Sequence, residues 1–103
     1  MNLRGTLPTL ILEALEQQPD HGYSIAQRIK TRSRGVLDFK EGTLYPALHK
    51  LEQEGFVSSY EEMEKGRTRR YYRITKNGRG ALTSDRVEWS KVSRAVTTIL
   101  REA

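Results

Sequence analysis

The sequence predicts a mainly α-helical fold with one small β-hairpin and a long terminal helix. Three observations lead there. Apolar residues recur at helical spacing in three successive segments before Gly55. Two segments with strand alternation then face each other across Glu64-Lys65-Gly66-Arg67. Beyond Thr75 an apolar residue returns at seven-residue intervals as far as Ile99.

The first helix carries Leu3, Leu7, Leu10, Ile11, Ala14 and Leu15 on one stripe. Pro8 suits only the start of a helix, so the regular part is expected from about Thr6. Gln17-Gln18-Pro19-Asp20 ends it, and Asp20 is the candidate N-cap of the second helix, Gly22 to Arg32. Tyr23, Ile25, Ala26 and Ile29 supply that helix's buried side, with Arg28, Lys30 and Arg32 outward and Gly35 as its stop. Val36, Leu37 and Phe39 anchor a short connection.

The third helix buries Leu44, Ala47, Leu48 and Leu51 and stops at Gly55. Pro46 has no N–H to donate, which favours Thr43 as the N-cap; a start near Glu41 would forfeit one helical bond. Val57 to Met63 forms the first strand and Thr68 to Ile74 the second, with Gly66 supplying positive φ at the turn. Tyr72 and Ile74 point inward. Thr75 caps the last helix, whose early turns Gly78 and Gly80 weaken. Leu82, Trp89 and Val96 occupy one heptad position, and Val92 and Ile99 the other; Asp85 interrupts the stripe.

At 103 residues the chain is one structural unit, in which residues 1–75 form a three-helix-plus-hairpin body and 76–103 a terminal helix. It has no cysteine, which excludes disulfides and thiolate metal sites, and two histidines alone do not make a zinc set. His21 is expected to bond backbone at a helix start. No segment reads as a membrane span or a signal peptide, so a cytoplasmic protein is expected. Net charge is +5. The charge is clustered: seven Lys/Arg and no acid from Lys65 to Arg79, and four with no acid from Arg28 to Arg34. Such clusters favour a polyanionic partner.

Helix, helix, then a hairpin with a basic tip is the order of a winged helix-turn-helix. In that arrangement the second helix of the pair enters the major groove of duplex DNA. Thr43, Tyr45, Pro46, His49 and Lys50 are the candidate DNA contacts of that helix. Lys65, Gly66, Arg67, Arg69 and Arg70 are the candidates on the wing, and Arg28 and Arg32 the candidate phosphate contacts of the preceding helix. Glu41, Glu52 and Glu54 leave the recognition helix without net positive charge, so most of the attraction is assigned to the other clusters.

The segments LILEAL (Leu10–Leu15), HGYSIAQRI (His21–Ile29), GTLYPALHKLEQEGFV (Gly42–Val57) and RRYYRITKNGRGAL (Arg69–Leu82) resemble the PadR family of transcriptional regulators. The single terminal helix matches the family's short form. Lys40 stands where relatives often have a helix-capping serine. The resemblance implies a homodimeric repressor, with the dimer formed by the terminal helix and aided by the first. Leu7, Leu10, Leu82, Trp89, Val92, Val96 and Ile99 are the candidate dimer residues. It also implies a candidate small aromatic or hydrophobic effector, for which Trp89 and its mate could wall a pocket at the dimer interface, with Leu10, Val92 and Val96 nearby.

The expected function is therefore sequence-specific binding of duplex DNA by a homodimer at a near-palindromic operator, with repression as the output. The alternative from another class is a winged-helix protein-interaction module that does not bind DNA. An enzyme is not expected, and neither is a cofactor. Asp38, His49 and Ser58 have no spacing that would serve catalysis.

Overall fold

The computed structural model describes residues 3–102, with side chains from Thr6 onward. The place expected for Leu3 on the first apolar stripe lies outside the described side chains. So do Met1, Asn2 and Ala103 at the ends of the two expected segments. Seven elements follow in order: α1 (Leu3–Gln17), β1 (Asp20–His21), α2 (Gly22–Arg32), α3 (Glu41–Gln53), β2 (Val57–Glu64), β3 (Arg67–Ile74) and α4 (Lys76–Arg101).

Helix α1 is the centre of the body, packing against α2, α3, α4 and β3. Leu7, Ile11, Leu12, Ala14 and Leu15 are all buried, a wider apolar surface than one stripe provides. A helix enclosed by four neighbours needs that width. Its partners contribute Ile25 and Ile29 from α2, Leu44, Leu48 and Leu51 from α3, Val57, Tyr72 and Ile74 from the sheet, and Leu82 from α4. Each fully buried side chain of this kind contributes about 1.5–3 kcal/mol.

Several local expectations are corrected. Helix α1 begins at Leu3 and encloses Pro8, and α3 begins at Glu41 and encloses Pro46. Both prolines stand six residues into their helices and forgo one i→i−4 bond each. Lys40, not Thr43, is the N-cap of α3, and its side chain makes no capping bond. Asp20 is not the cap of α2; His21 is, accepting from Ser24 N–H through Nδ1 at 3.4 Å. Tyr23 is 57% exposed, because the buried stripe of α2 runs through Gly22, Ile25 and Ile29.

The sheet is antiparallel and three-stranded, in the order β1-β3-β2. The short strand β1 was not anticipated from the sequence. It pairs Asp20 with Tyr72 and His21 with Tyr71, tying the entry of α2 to the hairpin. The hairpin turns on Lys65 and Gly66, both at positive φ (50° and 76°), the pattern of a two-residue type I′ turn. Thr75 caps α4 by accepting from Gly78 N–H at 3.0 Å, as expected.

Gly78 is more than a weak spot in α4. A Cβ built there would lie 2.0 Å from the Phe56 carbonyl oxygen. That oxygen accepts from Thr75 N–H at 3.0 Å, so the root of α4 sits directly on the start of β2. Gly80 faces open space.

Candidate nucleic-acid interface

Helix α3 presents one face outward. Its Leu44, Leu48 and Leu51 are buried, while Tyr45, Pro46, His49 and Lys50 are exposed and Thr43 is half-buried. Thr43 and Pro46 line a shallow cleft of about 280 Å³ with Leu7, Pro8, Gly42 and Ala47. Tyr45 does two things at once. Its ring edge and hydroxyl lie where a Cβ on Gly22 would be, 2.7 Å away, yet 41% of the residue remains exposed. Gly22 thus lets the ring and hydroxyl settle onto the start of α2 while the residue stays partly exposed. Glu52 accepts from the Ser59 hydroxyl and links α3 to β2.

The hairpin register sets the wing's electrostatics. Directly opposite residues are Glu61 and Arg70, Glu62 and Arg69, and Glu64 and Arg67. Lys65 and Gly66 form the exposed tip, with Arg67 and Arg70 exposed behind it. Arg69 is half-buried: its guanidinium lies 3.4 Å from His21 Nε2 and 3.9 Å from a Glu64 oxygen. Glu64 also accepts from the Tyr71 hydroxyl at 2.6 Å. This bond holds the Glu64 carboxyl below its ordinary range and pushes the Tyr71 phenol up to about 12. Below the tip, Tyr60 stacks on Tyr71 at 5.8 Å, and the Arg73 guanidinium lies 4.3 Å from the centre of the Tyr60 ring.

The second basic cluster differs from its expected role. Arg28 is turned inward: it donates to Asp20 at 3.1 Å, to the Ala14 carbonyl at 2.9 Å and to Gln17 at 3.1 Å. Asp20 is only 6% exposed and also accepts from His21 N–H and the Ser24 hydroxyl. Arg28 is thus corrected from an outward phosphate contact to the counter-ion of a buried carboxylate. Lys30 pairs with Asp38, and Arg32, half-exposed, lies 3.6 Å from Glu13. Glu13 and Glu16 also receive Arg86 of α4, so one ionic network spans α2, α1 and α4.

On the dimer residues the structure divides the expected set. Leu7 and Leu82 are 2% and 0% exposed and belong to the chain's own core, so neither is available to a partner. Trp89, Val96 and Ile99 stand 48%, 48% and 68% exposed, with Val92 half-buried. Spaced 3, 4 and 3 along α4, these four form a seam. Leu10 lines a cavity of about 230 Å³ with Glu13, Ile29, Arg32, Ser33 and Leu37. That lining does not include Trp89, Val92 or Val96. Among the described residues no helix is long and apolar enough to cross a membrane, and no cluster of three or more His, Asp or Glu could hold a metal ion.

A three-helix body, a β-hairpin closing on its first short strand, and a long terminal helix define a winged helix-turn-helix protein. Comparison with known proteins narrows the class. Residues 11–84 match the model of the transcriptional regulator PadR-like family. A transcriptional regulator of Mycobacterium tuberculosis is 42% identical over 93 residues, covering 90% of this chain and 84% of that protein. Among solved structures, a transcriptional regulator from Clostridium thermocellum has a TM-score of 0.87 at 32% identity, covering 93% of this chain and 91% of that one. A PadR family transcription regulator from Clostridium difficile has a TM-score of 0.80 at 32% identity, covering 93% and 99%. The chain belongs to the PadR-like family of transcriptional regulators.

Proposed function

We propose that the chain acts as a homodimer that binds duplex DNA at a near-palindromic operator and represses transcription there. The observation that carries this reading is the pairing of two surfaces. An exposed face of α3 bears Thr43, Tyr45, Pro46, His49 and Lys50, and a hairpin tip bears Lys65, Gly66 and Arg67. Thr43 and Tyr45 are placed toward the N-terminal half of α3, where a recognition helix meets base edges. Lys65 and Arg67 supply charge for phosphate or the minor groove, with Gly66 leaving the tip slim enough to enter. Arg70 is offered to phosphate from the flank and Arg69 only in part.

Arg67→Ala should weaken binding and lower the slope of log affinity against log salt by about one phosphate's worth. Thr43→Ala and Tyr45→Phe should change sequence preference more than salt slope. A salt titration with Arg67→Ala that matches the parent protein would displace the wing from the interface. Equal losses on selected and random duplexes would remove Thr43 and Tyr45 from base reading.

The seam of Trp89, Val92, Val96 and Ile99 supports the dimer. Apolar side chains on a terminal helix with open space beside them gain by pairing with a second copy. A charge placed in the seam, as in Trp89→Asp, should shift sedimentation from dimer to monomer and lower operator affinity by on the order of a hundredfold, since two linked half-sites become one. Unchanged sedimentation would move the interface elsewhere. Any small aromatic or hydrophobic effector would meet this seam at the junction of two chains.

A further inference from the structure

We propose that the acidic strand β2 competes intramolecularly with DNA for the arginines of β3, so that Glu61 and Glu62 hold down affinity for duplexes of any sequence. The proposal deepens the DNA-binding reading of the wing and rests on it.

The two strands are chemically opposite. Strand β2 contains Glu61, Glu62 and Glu64 and no base; β3 contains Arg67, Arg69, Arg70 and Arg73 and no acid. The register sets each acid beside an arginine: Glu61 beside Arg70 on the inward-pleated face, and Glu62 and Glu64 beside Arg69 and Arg67 on the outer one. Opposite residues in an antiparallel pair bring their Cβ atoms to about 5 Å. The segment Val57 to Ile74 therefore carries five cations but a net charge of only +2.

A phosphate approaching Arg69 or Arg70 meets the field of a carboxylate set directly opposite on the neighbouring strand. That distance is shorter than the Debye length of about 8 Å at physiological salt, so solvent ions do not hide the carboxylate. Glu61 and Glu62 are exposed, and attraction between exposed charges adds little to stability. The fold has other means of holding this hairpin: the Lys65-Gly66 turn, the Tyr60–Tyr71 stack, Arg73 on Tyr60 and the Tyr71–Glu64 hydrogen bond. The consequence of Glu61 and Glu62 is thus felt by an incoming polyanion more than by the fold. Binding to arbitrary DNA is almost wholly electrostatic. A genome offers an enormous excess of such sites, so lowering this component keeps the protein from being held away from its operator.

The test compares Glu61→Gln/Glu62→Gln with the parent chain on a random-sequence duplex, by fluorescence anisotropy over a range of salt. The double variant should bind roughly tenfold tighter at low salt, with the gain shrinking as salt rises. Its thermal unfolding should stay close to the parent's. Unchanged or weaker binding overturns the proposal, as does a large fall in unfolding temperature without tighter binding, which would make the acids structural. Arg67→Ala, run in parallel, separates the two layers. If it weakens binding while the glutamine pair does nothing, the competition idea fails and the wing reading stands. If neither moves the affinity, both fail.

Discussion

Gly78→Ala is expected to destabilise the protein by about 3 kcal/mol or more, although alanine is the better helix former. The added methyl would overlap the Phe56 carbonyl oxygen, 2.0 Å from the Cβ position, and crowd Ile74, whose Cγ1 is 2.7 Å away. The side chain of Ile74 can adjust, but the carbonyl cannot move freely. It accepts the Thr75 N–H bond, and the next residue, Val57, pairs with Ile74 at the base of the hairpin. Relief would require lifting α4 off the sheet and exposing Leu82, which is fully buried. Gly80→Ala is the matched control. It has nothing within 4 Å and should gain about 0.5–1 kcal/mol from helix propensity alone. Denaturant unfolding of both variants decides the point, and a Gly78→Ala protein as stable as its parent would refute the close approach.

The second large effect concerns Arg28→Ala, expected to cost about 3–5 kcal/mol. The substitution removes the cation from a carboxylate that is nearly out of solvent, and leaves the Ala14 carbonyl without its guanidinium donor. Asp20 keeps the His21 N–H and the Ser24 hydroxyl, which satisfy hydrogen bonding but not charge. Combining Asp20→Asn with Arg28→Met should therefore recover part of the loss, because the charge and its partner leave together. Under conditions where Arg28→Ala remains folded, the salt slope of DNA binding should match the parent's. A slope lower by about one would instead return Arg28 to the phosphate contacts.

These two residues also mark the limit of what the sequence discloses. Periodicity gave the helices, because burial on one face leaves a regular trace in residue type. Gly66 gave the hairpin turn, because positive φ there favours glycine, whereas Lys65, also at positive φ, carries no such signal. Arg28 and Asp20 stand eight residues apart, and the burial of Asp20 that makes Arg28 its counter-ion belongs to the packed fold. Gly78 reads locally as a defect in a helix, and its purpose depends on a carbonyl 22 residues away. Tyr45 and Gly22 form a similar pair, with the glycine explained only by the ring that rests on it.

On the candidate interface, the outward residues of α3 follow from its buried leucines, and the basic tip follows from the turn. The partition of charge was only half legible. A run of basic residues after Lys65 and a run of acids before it look like separate features along the chain. Folding about the turn places them opposite one another, and that register was recoverable once the two-residue turn was fixed. The starts of α1 and α3 lie ahead of their prolines for another reason. A proline inside the second turn forfeits one hydrogen bond, and tertiary packing of Leu7 or Leu44 outweighs that loss.

Helix α4 spans 26 residues, about 39 Å, yet every residue from Arg94 to Glu102 is exposed. Its root is clamped by Gly78, Leu82 and the Arg86 pairs with α1, while its far third extends beyond the body. Mechanically this is a lever with a rigid fulcrum. In the proposed dimer, a change of about 10° where two such levers cross, acting over an arm of roughly 25 Å, would displace each recognition helix by about 4 Å. That is slightly more than the rise of one base pair, about 3.4 Å. Small repacking among Trp89, Val96 and Ile99 would then retune the operator spacing by a whole base-pair step, with no residue on the DNA side altered.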